Sequence, residues 1–179
     1  VPLLKLILNK SSIPWPKVEK NKLNNWLLLT EKDREGIEKQ REFVRIALNT
    51  PDFAILEGPP GSGKTYTICE LILQAIKRKK RILLCASTHV AVDNVLEEIK
   101  DDPSVIAIRI GTDKVSVKVE DCKLDFIERS ESKKIRKRLL KKKKENTLSH
   151  SQEYLLECLE GGNKEIISDT FLEAANLIC

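Results

Sequence analysis

The sequence predicts an α/β fold: a parallel sheet flanked by helices, with a helical insertion beside it. Three observations predict it. Between residues 53 and 110, apolar runs of strand length alternate with amphipathic stretches at the spacing of right-handed crossovers. A glycine-rich turn, Gly58-Pro59-Pro60-Gly61-Ser62-Gly63-Lys64-Thr65, joins the first apolar run to the first such helix. From Thr112 the periodicity weakens and charge takes over, until Ala175-Asn-Leu-Ile-Cys179 returns to strand-like residues.

The turn fits G-x-x-x-x-G-K-[ST] at every defined position, the pattern of a phosphate-binding loop and hence of a P-loop NTPase. Backbone N–H groups can surround a triphosphate only where side chains do not intrude, and Gly58, Gly61 and Gly63 supply those points. Lys64 is placed to reach the β- and γ-phosphate oxygens, and the Thr65 hydroxyl to ligate Mg²⁺. The first turn of the next helix, with Tyr66, adds its positive N-terminal end. Context separates this from a chance turn, because the four residues from Phe53 to Leu56 suit a buried strand. After the loop, Thr67 to Arg78 carries Ile68, Leu71, Ile72 and Ile76 at helical spacing.

With 179 residues, 41 % hydrophobic and 33 % charged, the chain is long enough for one α/β domain with a real core. Apolar runs stay far below a membrane span. Five cysteines (Cys69, Cys85, Cys122, Cys158, Cys179) are widely spaced and form no C-x-x-C pair. That spacing predicts free thiols in a reducing, cytoplasmic or nuclear setting, with neither disulfides nor a zinc site. The absence of methionine and the abrupt ends read as a fragment of a longer protein. The net charge of +5 is local in origin: Lys133 to Lys144 holds nine cations, so the remainder carries −4. That run reads either as a phosphate-contacting arm or nuclear address, or as a solvated helix face. The lack of interleaved aromatics favours the face.

In chain order, Val1 to Leu8 suits a strand and Ser11 to Pro16 a linker. Leu23 to Leu29 covers a core. A helix is predicted from Glu31 to Leu48, with Thr30 and Asp33 at its start and Ile37, Phe43, Val44 and Ala47 inward. Within it, Gln40 by itself reads as surface. Arg81 to Ser87 is a second buried strand, followed by a helix burying Val92, Val95, Leu96 and Ile99. Ser104 to Ile110 is a third strand. The alternation of Val115, Val117 and Val119 predicts an exposed or edge strand. Phe126 to Asn146 is a charged helix with a thin stripe of Ile127, Ile135, Leu139 and Leu140. Gln152 to Leu159 is a short helix ended by Gly161-Gly162. Asn163 to Ala174 is a helix, and Ala175 to Cys179 begins a core strand.

Three of these stretches together resemble the superfamily 1 helicases, in the branch of the nonsense-mediated-decay helicase and the replication nuclease-helicase. Gly58 to Thr65 is similar to the family's GPPGTGKT, with Ser62 where threonine is usual. Cys85-Ala-Ser-Thr-His-Val-Ala-Val-Asp-Asn94 resembles motif Ia, departing at Ser87, Thr88 and His89. Gln40 to Phe53 resembles the Q motif at the expected distance. The resemblance covers residues 30–111 and implies a RecA-like fold. It implies that Gln40 bonds the adenine edge of ATP, and that Ser87, Thr88 and His89 meet the backbone of single-stranded DNA or RNA. Asp93 either braces that turn or touches ligand. His89 alone reads as a loop or core histidine, and no ligand spacing suggests a further metal site.

The resulting organisation is residues 1–29 as the end of a preceding subdomain or linker, and 30–111 as the RecA-like ATP-binding core. Residues 112–162 form a mostly helical insertion, and 163–179 return to the core before the Asp-Glu strand of Walker B. The resemblance implies an ATP-dependent helicase or translocase, a monomeric 5′-to-3′ motor without a membrane anchor, with ATP and Mg²⁺ as cofactors. Without the Asp-Glu pair and the second RecA-like domain, this stretch alone is expected to bind Mg-ATP weakly and hydrolyse it negligibly. An AAA+ ATPase and a non-hydrolysing binding module are the alternatives.

Overall fold

The computed structural model describes residues 23–31, 33–50, 53–111, 115–163 and 165–179. The predicted strand Val1 to Leu8 and linker Ser11 to Pro16 lie outside them. The chain divides between Lys80 and Arg81 into two compact units.

The first unit is built on two helices, α1 (Ile37–Ala47) and α2 (Lys64–Lys77). Leu29, Ile37 and Val44 form its fully buried cluster, with Leu23, Trp26, Phe43, Leu48 and Leu71 packed against it. Burying each such aliphatic side chain stabilises the unit by about 1.5–3 kcal/mol. Helix α1 begins six residues later than the predicted Glu31. Gly36 sits at φ 80° as its N-cap and makes no side-chain cap bond, so Thr30 and Asp33 do not start the helix. The reason is tertiary: the Arg41 guanidinium donates to the carbonyls of Leu29 (3.0 and 2.7 Å) and Glu31 (2.9 Å). Those carbonyls are therefore spent on a side chain rather than on a helical ladder. Arg41 and Arg45 also lie over the Trp26 ring at 5.4 and 5.0 Å from its centroid, which covers the indole with charge and alkyl stem together.

Helix α2 is buried well beyond an apolar stripe. Thr67, Glu70 and Gln74, spaced three and four apart, form a buried polar row on it. Glu70, fully buried, accepts from the N–H groups of Leu27 (3.0 Å), Leu28 (2.6 Å) and Leu29 (3.0 Å), while Gln74 Nε2 donates to it at 2.7 Å. Three successive amides thus form a cup for one carboxylate, satisfying donors that helix and sheet leave unmatched.

The run before the glycine turn differs from expectation. Residues 53–57 pair with no strand among the described residues, and Phe53 and Ile55 are 47 % and 77 % exposed. A β-prone run becomes a buried strand only beside a neighbour that supplies its ladder.

The second unit holds a three-stranded parallel sheet in the order β1–β3–β2, from β1 (Ile82–Leu83), β2 (Ala107–Ile108) and β3 (Leu177–Ile178). Ile82 and Ala107 both register on Leu177, so the strand latest in sequence is the central one. Its Leu177 is fully buried, whereas Leu83 on the β1 edge is 71 % exposed, against the expectation of a buried strand there. Between β1 and β2 lies α3 (His89–Ile99), which buries Val92, Val95, Leu96 and Ile99 as predicted.

The valine alternation at 115–119 makes no edge strand. Val117–Cys122 is a 3₁₀ helix that Ser116 caps by accepting from Lys118 N–H. A three-residue repeat turns Val119 and Cys122 inward and leaves Val117 85 % exposed. Three helices complete the unit: α4 (Leu124–Lys144), α5 (His150–Glu160) and α6 (Glu165–Ala174). Ser149 and Gln152 start α5 with a reciprocal capping box. No helix among the described residues is long and apolar enough to cross a membrane.

Replacing Glu70 with alanine leaves three main-chain donors without a partner. Glu70→Ala is expected to lower unfolding stability by about 3 kcal/mol or more in urea titration. A loss below 1 kcal/mol would show that water reaches those amides.

Candidate functional site

The glycine turn is a compact cradle. Gly61 and Gly63 occupy left-handed backbone at φ 78° and 76°, which glycine adopts without strain. Ser62 N–H closes the turn on the Pro59 carbonyl at 3.3 Å. Helix α2 starts directly at Lys64, with Thr67 donating to the Gly63 carbonyl through both its N–H and its hydroxyl, each at 3.0 Å. No acidic residue occupies the first turn of α2, although Glu35 and Glu57 line the cavity beside it.

Side chains close in at two glycines. A Cβ at Gly58 would meet Ser62 Oγ at 2.7 Å, and one at Gly63 would meet Gln40 Nε2 at 2.5 Å. Gln40, half-buried on α1, donates from Nε2 to the Ser62 carbonyl at 2.7 Å and accepts at Oε1 from Arg34 Nη2 at 2.6 Å. Lys64 Nζ donates to the carbonyls of Gly58 (2.6 Å) and Pro59 (2.8 Å). The structure thus brings Gln40, Gly58, Pro59, Ser62 and Lys64 together around one cavity of about 410 Å³, with Lys39 and Leu56 on its walls. Pro60, Gly61, Thr65 and Tyr66 are exposed along the same turn and helix start.

Ser87, Thr88 and His89 lie in the second unit, at the turn from β1 into α3. All three are exposed. Thr88 is the N-cap of α3: its hydroxyl accepts from Ala91 N–H at 3.3 Å. His89 Nδ1 lies 3.0 Å from Arg109 Nη2. A guanidinium only donates, so Nδ1 accepts and the ring proton sits on Nε2.

Asp93 is a brace, which decides between its two predicted roles. It is 4 % exposed, pairs with Arg109 Nε at 3.1 Å, and accepts from Ser116 N–H at 2.8 Å. Arg109 also donates to the Ile110 carbonyl at 2.6 Å. The buried Asp93–Arg109 pair thereby holds the α3 start, the end of β2 and the entry to the 3₁₀ helix together. Nearby, Glu97 bonds Lys118 at 2.9 Å, which lowers the carboxyl and raises the ammonium from their ordinary pKa values.

Sequence reasoning missed Arg109, Glu70 and Arg34. The first two carried a signal, since each is a lone charge inside an apolar run, where burial with a partner is the rule. None of the five cysteines forms a disulfide. Burial pushes the Cys122 thiol up to about 11 and that of Cys179 up to about 12, so both stay protonated at neutral pH. Among the described residues, no cluster of three histidine, cysteine or acidic side chains is placed to hold a metal ion.

A parallel sheet, a glycine cradle opening a helix, and a glutamine laid against that cradle define the RecA-like class of P-loop NTPase domains. Residues 37–177 match the family model of the AAA domain, and the chain belongs to that family. The DNA-binding protein SMUBP-2 of Mesocricetus auratus is 52 % identical over 60 residues, 34 % of this chain and 6 % of its own length. The DNA polymerase alpha-associated DNA helicase A of Schizosaccharomyces pombe is 33 % identical over 79 residues, 44 % of this chain and 12 % of its own. The DNA replication ATP-dependent helicase/nuclease dna2 of the same yeast is 45 % identical over 60 residues, 34 % of this chain and 4 % of its own. The chain therefore spans about a tenth or less of the length of these relatives.

Two substitutions separate the forces at these sites. Gly61→Ala and Gly63→Ala share the left-handed strain of about 1–2 kcal/mol, but only Gly63→Ala also displaces Gln40. Gly63→Ala is expected to cost the more stability, with the difference shrinking in a Gln40→Ala background; equal losses would mean that the Gln40 contact carries no energy. Arg109→Met strands the Asp93 charge and is expected to destabilise by about 3–5 kcal/mol in denaturant.

Proposed function

We propose that this chain is most of the first RecA-like domain of an ATP-dependent helicase or translocase acting on single-stranded DNA or RNA as a monomeric 5′-to-3′ motor in the cytoplasm or nucleus. Residues 30–111 would be the nucleotide-binding core, 112–162 its helical insertion, and 163–179 the return to the core. The observation that carries the reading is the bond from Gln40 Nε2 to the Ser62 carbonyl, which holds a base-sized amide and a phosphate cradle around one cavity.

In this reading the exposed N–H groups of the turn and the first turn of α2 receive the phosphate oxygens. Lys64 Nζ leaves the Gly58 and Pro59 carbonyls for the β- and γ-phosphates, exchanging neutral acceptors for charged ones. A side chain at Gly58 or Gly63 would collide with Ser62 or Gln40, so glycine keeps both positions clear, and the exposed Thr65 hydroxyl is the group that would hold Mg²⁺. That ion would neutralise charge between the β- and γ-phosphates. Gln40 would select adenine by exchanging Arg34 and the Ser62 carbonyl for the donor and acceptor on the base edge. At the second site, the exposed hydroxyl of Ser87 and the N–H groups at the start of α3 would hold backbone phosphates without reading bases. Thr88, whose hydroxyl caps the helix, and His89, fixed by Arg109, would shape that turn.

A fluorescent ATP analogue and Mg²⁺, titrated into this chain, test the nucleotide reading. Lys64→Ala is expected to weaken binding at least about tenfold, and Gln40→Ala to erase a preference for ATP over GTP in competition. Binding untouched by Lys64→Ala would sink the reading. In the intact protein, ATP hydrolysis is expected to rise with added single strand, while this chain alone turns over negligibly. A rate indifferent to strand would overturn translocation.

A further inference from the structure

The basic run has a geometry that its composition hides. On a helix with about 3.6 residues per turn, Lys134, Lys137, Arg138, Lys141 and Lys144 of α4 fall on one third of the circumference. They line a single open groove of about 680 Å³. Like charges three and four apart oppose each other along a helix, so gathering five on one face disfavours the free helix. Acidic neighbours relieve only part of this. Lys134 meets Glu131 at 2.6 Å and Lys141 meets Glu145 at 4.0 Å, whereas Lys137, Arg138 and Lys144 make no ion pair among the described residues. Lys134 also lines a second cavity of about 360 Å³, floored by the β2 region, where Phe126 is 46 % exposed. An aromatic platform therefore stands at one end of the cationic strip, on the same side of the same helix.

We propose that this face of α4 is an auxiliary binding track for single-stranded nucleic acid, with the five cations on successive phosphates and Phe126 stacking an unpaired base. The assignment rests on reading the chain as part of a strand-handling motor. The rise from Lys134 to Lys144 is about 15 Å, the length of about four stacked nucleotides at about 3.4 Å each. Phosphate contact alone would suit any polyanion. The exposed ring selects the unpaired strand, because a duplex keeps its base faces covered.

The test is fluorescence anisotropy of the whole chain with labelled oligo(dT) and oligo(U) across a salt series, against duplex DNA and heparin. Changing Lys137, Arg138, Lys141 and Lys144 together to glutamine keeps helix propensity and is expected to lower the slope of log affinity against log salt by about 2 to 3. Phe126→Leu is expected to weaken strand binding about fivefold or more and to leave heparin binding unchanged. Circular dichroism confirms that both variants fold. An unchanged salt slope in the quadruple variant overturns the track. A silent Phe126→Leu, with duplex or heparin bound as tightly as strand, overturns it in favour of a general polyanion surface. Binding of the ATP analogue, measured on the same samples, is expected to be the same in both variants. Its absence in the unsubstituted chain would sink the motor reading and leave the track standing.

Discussion

Leu29 is the node on which the first unit depends. Its N–H donates to Glu70 of α2 and its carbonyl accepts from Arg41 of α1, so one peptide segment ties together two helices that do not share a ladder. Those helices carry Lys64 and Gln40. Their relative placement therefore rests on two buried side chains: Glu70, held by three main-chain N–H groups, and Arg41, which donates to the Leu29 and Glu31 carbonyls and also pairs with Glu38 at 2.6 Å. Such an arrangement is directional in a way that apolar packing is not: the Leu29–Ile37–Val44 cluster could slide by a fraction of a turn, but three amides converging on one carboxylate could not.

The second unit uses the complementary device. There a true ion pair, Asp93 with Arg109, is almost wholly enclosed, and each partner spends its remaining capacity on neutral groups, Ser116 N–H, the Ile110 carbonyl and His89. An enclosed pair contributes little net stability compared with apolar residues of the same volume, yet leaving one partner alone is severe. The value of such a pair lies in position. It holds the first turn of α3, just after Ser87 and Thr88, against the end of β2.

The glycine turn and the helix it opens were legible in the sequence because they are written in contiguous residues: glycines for the left-handed backbone, a lysine at the helix start, and a helix pattern behind. The helices of the second unit were legible for a related reason, since α3 and α4 show their apolar spacing over several turns. Two short stretches differed from expectation. The apolar run before the glycine turn and the alternating valines at 115–119 both look β-prone, and local pattern does not report whether a partner strand stands alongside, or whether a serine just before will cap a 3₁₀ turn instead. The start of α1 was missed because the donor that competes for the Leu29 and Glu31 carbonyls, Arg41, lies on the helix itself and acts through tertiary geometry. Gln40 read as a surface residue until the family resemblance gave it a role, and the coordinates give it a contact.

The order of the sheet has a consequence for how the chain acquires its structure. The ladder partners of the middle strand precede it by 95 positions in β1 and 70 in β2. During synthesis both outer strands emerge before their central partner, and helices α3 to α6 are all made before the seam can close. Assembly of this unit is thus governed by late, long-range association, which is slow and leaves sticky edges uncovered in the interval. The crowded cations of α4, repelling neighbouring nascent chains throughout that wait, would serve as a built-in deterrent to premature clumping.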